Sequence, residues 1–481
     1  MRPASPTLRA LPLRGGLLAV LMLGFVLSAA WIRSAGAQSP GDWPQFQGGP
    51  GHAGVASVGP EPPYSVSWTY HVVPNDRSEG VSAPIIVGDL AIAMGPEALF
   101  AVDLATGEER WSVPREGAPS TPAVADIDGG PAVLYLDGRD ADSASLEAIS
   151  LDTQEHLWTF ELEAVSRSGV TVDDEHAYVG DGAGNVYSIG LGDGQVVWTT
   201  LLKGEAKGPL AVGGGKVVLA PLAHDVSDRV DASVIALDAE TGEEAWRFQP
   251  RLPPGLSSLP ATDGSAVAVG YGDGTAYGFD IETGEELWSV RLFAQTWPFV
   301  APAIVDGSDG ASSSVYVGDF DGGLSLLDAA SEDRKWLFHF NEVVVRSSPT
   351  VVGASVLLGL DDGSLAAVRS TDGHLVWRSG SSPGLFGAIA VGADTIVVQK
   401  GGDEGGLVAF RADPAASSID EVSPTVPRYG SILATFAAAF AIVGVAILVP
   451  LAIVGRRVGP PEFGSGDDDD ETVDVDDGDE P

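Results

Sequence analysis

The sequence has no cysteine. That single absence excludes a disulfide framework, a thiol nucleophile, Cys-ligated zinc, covalently attached c-type haem and a lipid-bearing N-terminal cysteine. Basic residues are scarce, with 26 Lys and Arg against 67 Asp and Glu, for a net charge of -41. Holding a phosphate backbone depends on clustered cations, so nucleic acid is not an expected partner. Asparagine is rarer still, at Asn75, Asn185 and Asn341. No long amphipathic helical pattern occurs between Asp42 and Pro427. What the chain does have is 62 Gly and 33 Pro alongside 44% hydrophobic residues, the balance of a turn-rich globular protein.

The two ends read differently from the middle. Arg2, Arg9 and Arg14 precede an apolar run from Leu17 to Ile32 and a small-residue site at Ala35-Gly36-Ala37, the pattern of an export signal over residues 1–37. Residues 429–454 are uncharged and apolar for longer than the roughly 20 residues that span a bilayer as helix. Arg456 and Arg457 follow at once, which places the C-terminus in the cytoplasm. Residues 455–481 then form an acidic tail too polar to bury a core. The expected organisation is a lead-in at 38–63, a repeat domain at 64–412 outside the cytoplasm, a linker at 413–428, one transmembrane helix and the tail.

Tryptophan marks the repeat. Trp68, Trp111, Trp158, Trp198, Trp246, Trp288, Trp336 and Trp377 recur at intervals of 40 to 48 residues. The last seven each close a similar string, such as AVDLATGEERW ending at Trp111 and GFDIETGEELW ending at Trp288. The Asp-x-x-Thr-Gly portion is a tight turn between strands: Gly supplies positive φ, and Asp and Thr bond local amides. About 44 residues with four short strands is one propeller blade. The segment after Trp377 has three strand-like stretches and no tryptophan, whereas Tyr64–Tyr70 is a lone strand carrying Trp68. Joined, they make an eighth blade. The prediction is an all-β, eight-bladed propeller closed by its N-terminal strand, with the eight tryptophans as structural docking residues.

The string A-x-D-x-x-T-G-x-x-x-W resembles the docking motif of the pyrroloquinoline quinone (PQQ) propeller repeat superfamily, and Trp43-Pro44-Gln45-Phe46-Gln47-Gly48 resembles the lead-in of its exported members. The resemblance covers about residues 42–412. The superfamily includes quinoprotein dehydrogenases, with PQQ and calcium over the propeller axis, and non-catalytic members such as the lipoprotein that assists outer-membrane protein assembly. The dehydrogenases resemble one another in an adjacent-cysteine disulfide, a calcium site of acidic and amide side chains, a catalytic Asp and long inter-blade insertions. This chain has no cysteine, few asparagines and nearly bare blades.

Several local motifs reduce to turns. Asp126-Ile127-Asp128-Gly129 and Asp319-Phe320-Asp321-Gly322 have the acid spacing that opens a calcium loop, but neither carries the Glu at position twelve. The seven histidines lack paired ligand spacing, and no metal site is expected. The glycine-rich stretch from Gly182 to Gly190 precedes no helix that would hold a phosphate. One position class carries more. Residues just before the innermost strand of each blade ring one channel mouth, and there the repeat places Val81, Pro119, Arg167, Ala206, Ser257, Phe299, Arg346 and Leu385. Arg167 and Arg346 belong to opposite blades, and Lys207 lies beside this column. These three cations are the candidate anion-binding group, against the plainer reading that each knits neighbouring blades.

The expected function is a non-catalytic binding or scaffold module for a protein or polymer partner at the cell envelope, anchored by the C-terminal helix and needing no cofactor. The alternative is a PQQ-dependent oxidoreductase, with calcium and with Arg167 or Arg346 against the quinone carboxylates.

Overall fold

The computed structural model describes residues 40–72, 80–138, 143–166, 168–206, 208–221, 233–249, 257–292, 300–307, 312–329, 334–340, 343–402 and 405–417. The expected export signal at 1–37, the span at 429–454 and the acidic tail lie outside them. Among the described residues no helix is long and apolar enough to cross a membrane. The helical element among them is a single 3-10 turn, Phe46–Gly48.

Eight antiparallel sheets form the eight blades. Blade 1 runs through Ile85–Val87, Leu90–Met94, Ala98–Asp103 and Glu109–Pro114, and the innermost strands of blades 2 to 7 begin at Ala123, Thr171, Ala211, Ala261, Ala303 and Thr350. Blade 8 is composite. Its strands Phe386–Val391, Ile396–Lys400 and Gly406–Ala412 come from the C-terminal side, and the N-terminal Tyr64–His71 pairs antiparallel with the last of these, from Tyr64 opposite Ala412 to His71 opposite Gly406. The predicted closure is therefore present. Blade 7 departs from the expected four strands, because Val55–Ala56 of the lead-in pairs parallel with Val351 and Val352.

The core lies between blades. One buried cluster joins Trp158 and Leu162 of blade 2 to Tyr187 and Ile189 of blade 3, and another joins Tyr178 and Trp198 of blade 3 to Leu237 of blade 4. Alternating strand residues thus feed two interfaces, one on each face of the sheet.

The turns behave as the motif requires. Asp103 Oδ1 accepts the Thr106 amide at 2.8 Å and its hydroxyl at 3.0 Å, and the same pair of bonds recurs at Asp238 with Thr241 and at Asp280 with Thr283. The Arg110 guanidinium, with Thr106, holds the Asp103 carboxyl down at about 2.

Tryptophan docking is less uniform than the repeat predicts. Trp68, Trp158, Trp198, Trp246 and Trp336 donate from Nε1 to the carbonyls of Leu104, Leu191, Ala239, Ile281 and Ser370 in the following blade, at 2.7 to 3.2 Å. Each of these indoles lies over the turn glycine, where an added Cβ would come within 2.6 to 2.8 Å of the ring. Trp111, Trp288 and Trp377 have no partner for Nε1 among the described residues. Opposite Trp111 the glycine is replaced by Gln154, which adopts φ 58° and donates its own Nε2 to the Leu151 carbonyl that an indole would otherwise use. Opposite Trp288 the same column holds Glu332, outside the described residues. Trp377 faces blade 8, which has no motif turn, and packs edge-on against Tyr64 at 5.1 Å.

Candidate functional site

The central channel has two unlike ends. One end is filled by the lead-in. Trp43 exchanges backbone hydrogen bonds with Ile86 of blade 1 at 2.7 and 2.9 Å. The Pro44 carbonyl then accepts from Val124 of blade 2, Pro50 from Val212 of blade 4, Gly51 from Thr262 of blade 5, Ala53 from Ile304 of blade 6 and Gly54 from Val351 of blade 7. At blade 3 a side chain takes the backbone's place: Gln45 Oε1 accepts the Val172 amide at 2.9 Å, and Nε2 donates to the Val172 carbonyl at 3.0 Å. Residues 42–56 are thus a strap bonded to seven blades in turn. Gln47 (φ 54°) and Gly48 (φ 83°) bend it, and a side chain at Gly48 would strike the Trp43 ring. That geometry accounts for the spacing of Trp43, Pro44, Phe46 and Gly48.

The other end opens into a cavity of about 380 Å³. Phe46 of the strap lines it, together with Val81, Ser82 and Ala83 of blade 1, Pro119 to Thr121 of blade 2, Ser168 and Gly169 of blade 3, Gly208 and Pro209 of blade 4, Leu259 of blade 5, Arg346 to Ser348 of blade 7, and Leu385, Gly387, Ala388 and Gln399 of blade 8. Of the column read from the sequence, Val81, Pro119, Arg346 and Leu385 line the cavity, whereas Ala206 and Ser257 do not and yield to Gly208 and Leu259. Arg167, Lys207 and Phe299 lie outside the described residues.

Arg346 Cζ sits 5.7 Å from the centre of the Phe320 ring in blade 6, a cation–π contact that links two blades while the residue lines the cavity. Ser82, Ser168 and Ser347 of this wall are structural, as is Ser258 beyond it. Ser82, Ser168, Ser258 and Ser347 each accept, through the hydroxyl, the amide twelve residues further on, at 2.8 to 3.0 Å. Gln399 donates to the Val81 carbonyl and accepts from the Ala388 amide at 3.1 Å, tying blade 8 to blade 1. Beneath Phe46, His52 is fully buried, edge-on to that ring at 5.1 Å and with Nε2 3.3 Å from Thr171 Oγ1. Burial pushes its pKa down from 6.5 to about 3, partly opposed by the Pro260 carbonyl. Sequence reasoning missed Phe46, Leu259 and Gln399 as cavity residues; only Phe46 carried a signal, through the lead-in motif.

The acid pairs are turns. Asp126 Oδ1 accepts the Gly129 amide, and Asp319 Oδ1 accepts the amides of Asp321 and Gly323. Among the described residues no group of three or more His, Asp and Glu is placed to hold a metal ion.

A family model described as outer membrane protein assembly factor BamB matches residues 142–337 and 302–416, over half the chain. The assembly factor BamB of Burkholderia pseudomallei (strain K96243) is 26% identical over 257 residues, covering 51% of this chain and 62% of its own length. The Yersinia pestis protein of that name is 26% identical over 256 residues, covering 48% and 61%. The chain therefore spans about three-fifths of these relatives. Quinoprotein ethanol dehydrogenase of Pseudomonas putida is 38% identical over only 78 residues, 16% of this chain and 12% of its own. Among solved structures, BamB from Moraxella catarrhalis superposes with a TM-score of 0.54 at 15% identity, covering 73% of this chain and all of its own. Quinohemoprotein alcohol dehydrogenase from Comamonas testosteroni gives 0.58 at 14%, covering 82% and 84%. At those identities the structures speak to fold alone. Repeat, closure and the match over residues 142–416 agree: the chain belongs to the PQQ-like β-propeller family described by outer membrane protein assembly factor BamB.

Proposed function

We propose that this protein is a non-catalytic propeller that presents a binding surface to a protein partner at the cell envelope, outside the cytoplasm, held to the membrane by a helix at 429–454. The observation that carries this reading is the channel wall. Its serines at 82, 168 and 347 already serve the blades, and its described lining offers no carboxylate or imidazole as an acid–base pair. The relatives described as assembly factors for outer membrane proteins support the same reading. At the open mouth, Arg346 would meet an anionic group of the partner, and the sequence column adds Arg167 and Lys207, which lie outside the described residues, as candidates for the same group. In-cell cross-linking followed by partner identification tests this; an envelope protein is the expected product, and recovery of none would overturn it.

The second reading, a PQQ-dependent oxidoreductase, draws on Arg346 at the mouth. The donor set does not suit it. Calcium takes six to eight oxygen ligands including carboxylates, and the described lining has no carboxylate. Adding PQQ and calcium and following dye reduction separates the readings, since cofactor-dependent turnover would sink the binding-only one.

A further inference from the structure

In blades 1 to 7 the innermost strand is the edge of its own blade, and the amide at its second residue points away from its own sheet. An amide buried there without a partner is costly. In this molecule Ile86, Val124, Val172, Val212, Thr262, Ile304 and Val351 occupy that one repeat position, and the strap satisfies all seven. The acceptors are backbone carbonyls at every blade except the third, where Gln45 stands in. The strap bends through the Phe46–Gly48 turn and gives about one main-chain bond to each blade: main-chain bonds supply affinity, while a few side chains, here Trp43, Gln45 and Phe46, set register. The strap's connection to the ring, by contrast, runs through exposed Ser57 and Val58.

We propose that the seven axial amides form a peptide-binding track for one bent segment and that residues 42–56 occupy it as a ligand held in cis. The track is then distinct from the open cavity, to which it contributes the floor through Phe46, and it accepts the same sequence supplied in trans. The proposal does not depend on the envelope function.

A protease site inserted between Ser57 and Val58 of the full-length chain allows the strap to be cut after folding. The cut strap is expected to stay with the ring on gel filtration and to exchange with a labelled synthetic peptide of residues 40–57. A Gln45→Ala peptide should compete at least tenfold more weakly, since it loses both bonds at Val172. Three results would overturn the proposal: unfolding of the ring on cleavage, loss of the strap with no fall in Tm, or equal competition by the Gln45→Ala peptide.

Discussion

Five indoles bond to the next blade, and each has glycine beneath it; of the three that do not bond, Trp111 meets Gln154, Trp377 meets a blade with no motif turn, and for Trp288 the sequence column reads Glu332, outside the described residues. One hydrogen atom in place of a side chain thus controls docking. Gly242→Ala puts a Cβ 2.6 Å from the Trp198 ring at φ 71° and is expected to cost about 2 kcal/mol or more in urea unfolding. Gln154→Gly relieves a positive-φ residue and frees the Leu151 carbonyl for Trp111, so the unfolding midpoint should rise, by up to about 1 kcal/mol. The exception was legible in the sequence as Thr-Gln where the turns beneath docked indoles read Thr-Gly or Asp-Gly. Its consequence was not, because the carbonyl it occupies belongs to the backbone. His52 gives a second residue-scale test. The unfolded chain takes a proton near pH 6.5 and the folded one only near 3, so the stability held by neutral His52 is complete above 6.5 and drains away as pH falls toward 3. The loss over that window is on the order of 4–5 kcal/mol, and His52→Asn should flatten the stability curve there, as read by denaturant titrations at stepped pH.

Two elements hold the ring shut, and they differ in how far sequence could reveal them. The closing strand Tyr64–His71 is reinforced by Trp68 on the Leu104 carbonyl and by Tyr70 bonded to Glu109. Trp68→Ala is expected to cost about 3–5 kcal/mol, and Trp111→Ala clearly less, because Trp111 is only half-buried and lacks the indole bond; paired thermal melts would check the difference. The strand was legible because it carried a tryptophan in phase with the repeat but had no blade of its own. The strap was not. Apart from Gln45, the groups it offers to the seven inner-strand amides are main-chain carbonyls, which any residue supplies, and its path has no period. Gln45→Ala leaves two buried backbone groups of Val172 unpaired and should lower stability by about 2–4 kcal/mol in the intact chain. The channel column stood between these extremes. Strand register placed Arg346 and Leu385 correctly, while Leu259 entered where Ser257 was expected, since the chain before each inner strand does not keep one phase.

At the scale of the molecule, only eleven of the 67 acidic residues lie beyond Arg457, so the negative charge belongs mainly to the propeller domain. Like charges spread over a closed ring repel, and salt screens them within about 10 Å at 0.1 M. The unfolding temperature should therefore rise by several degrees between 0.05 and 1 M KCl at neutral pH, a direction that scanning calorimetry would read directly. The absence of cysteine means that this ring is closed by non-covalent bonds alone, and the strap's route gives that closure a direction. Its residues meet blades 1 to 7 in the order in which those blades follow it along the chain. A ribosome releases the strap before any blade exists. Every later blade then emerges to find its docking point already made, and the eighth completes itself on Tyr64–His71, a strand released soon after the strap. A circular permutant that begins at blade 4 would keep every contact and lose that timetable, and should reach the same stability by a slower and more aggregation-exposed route.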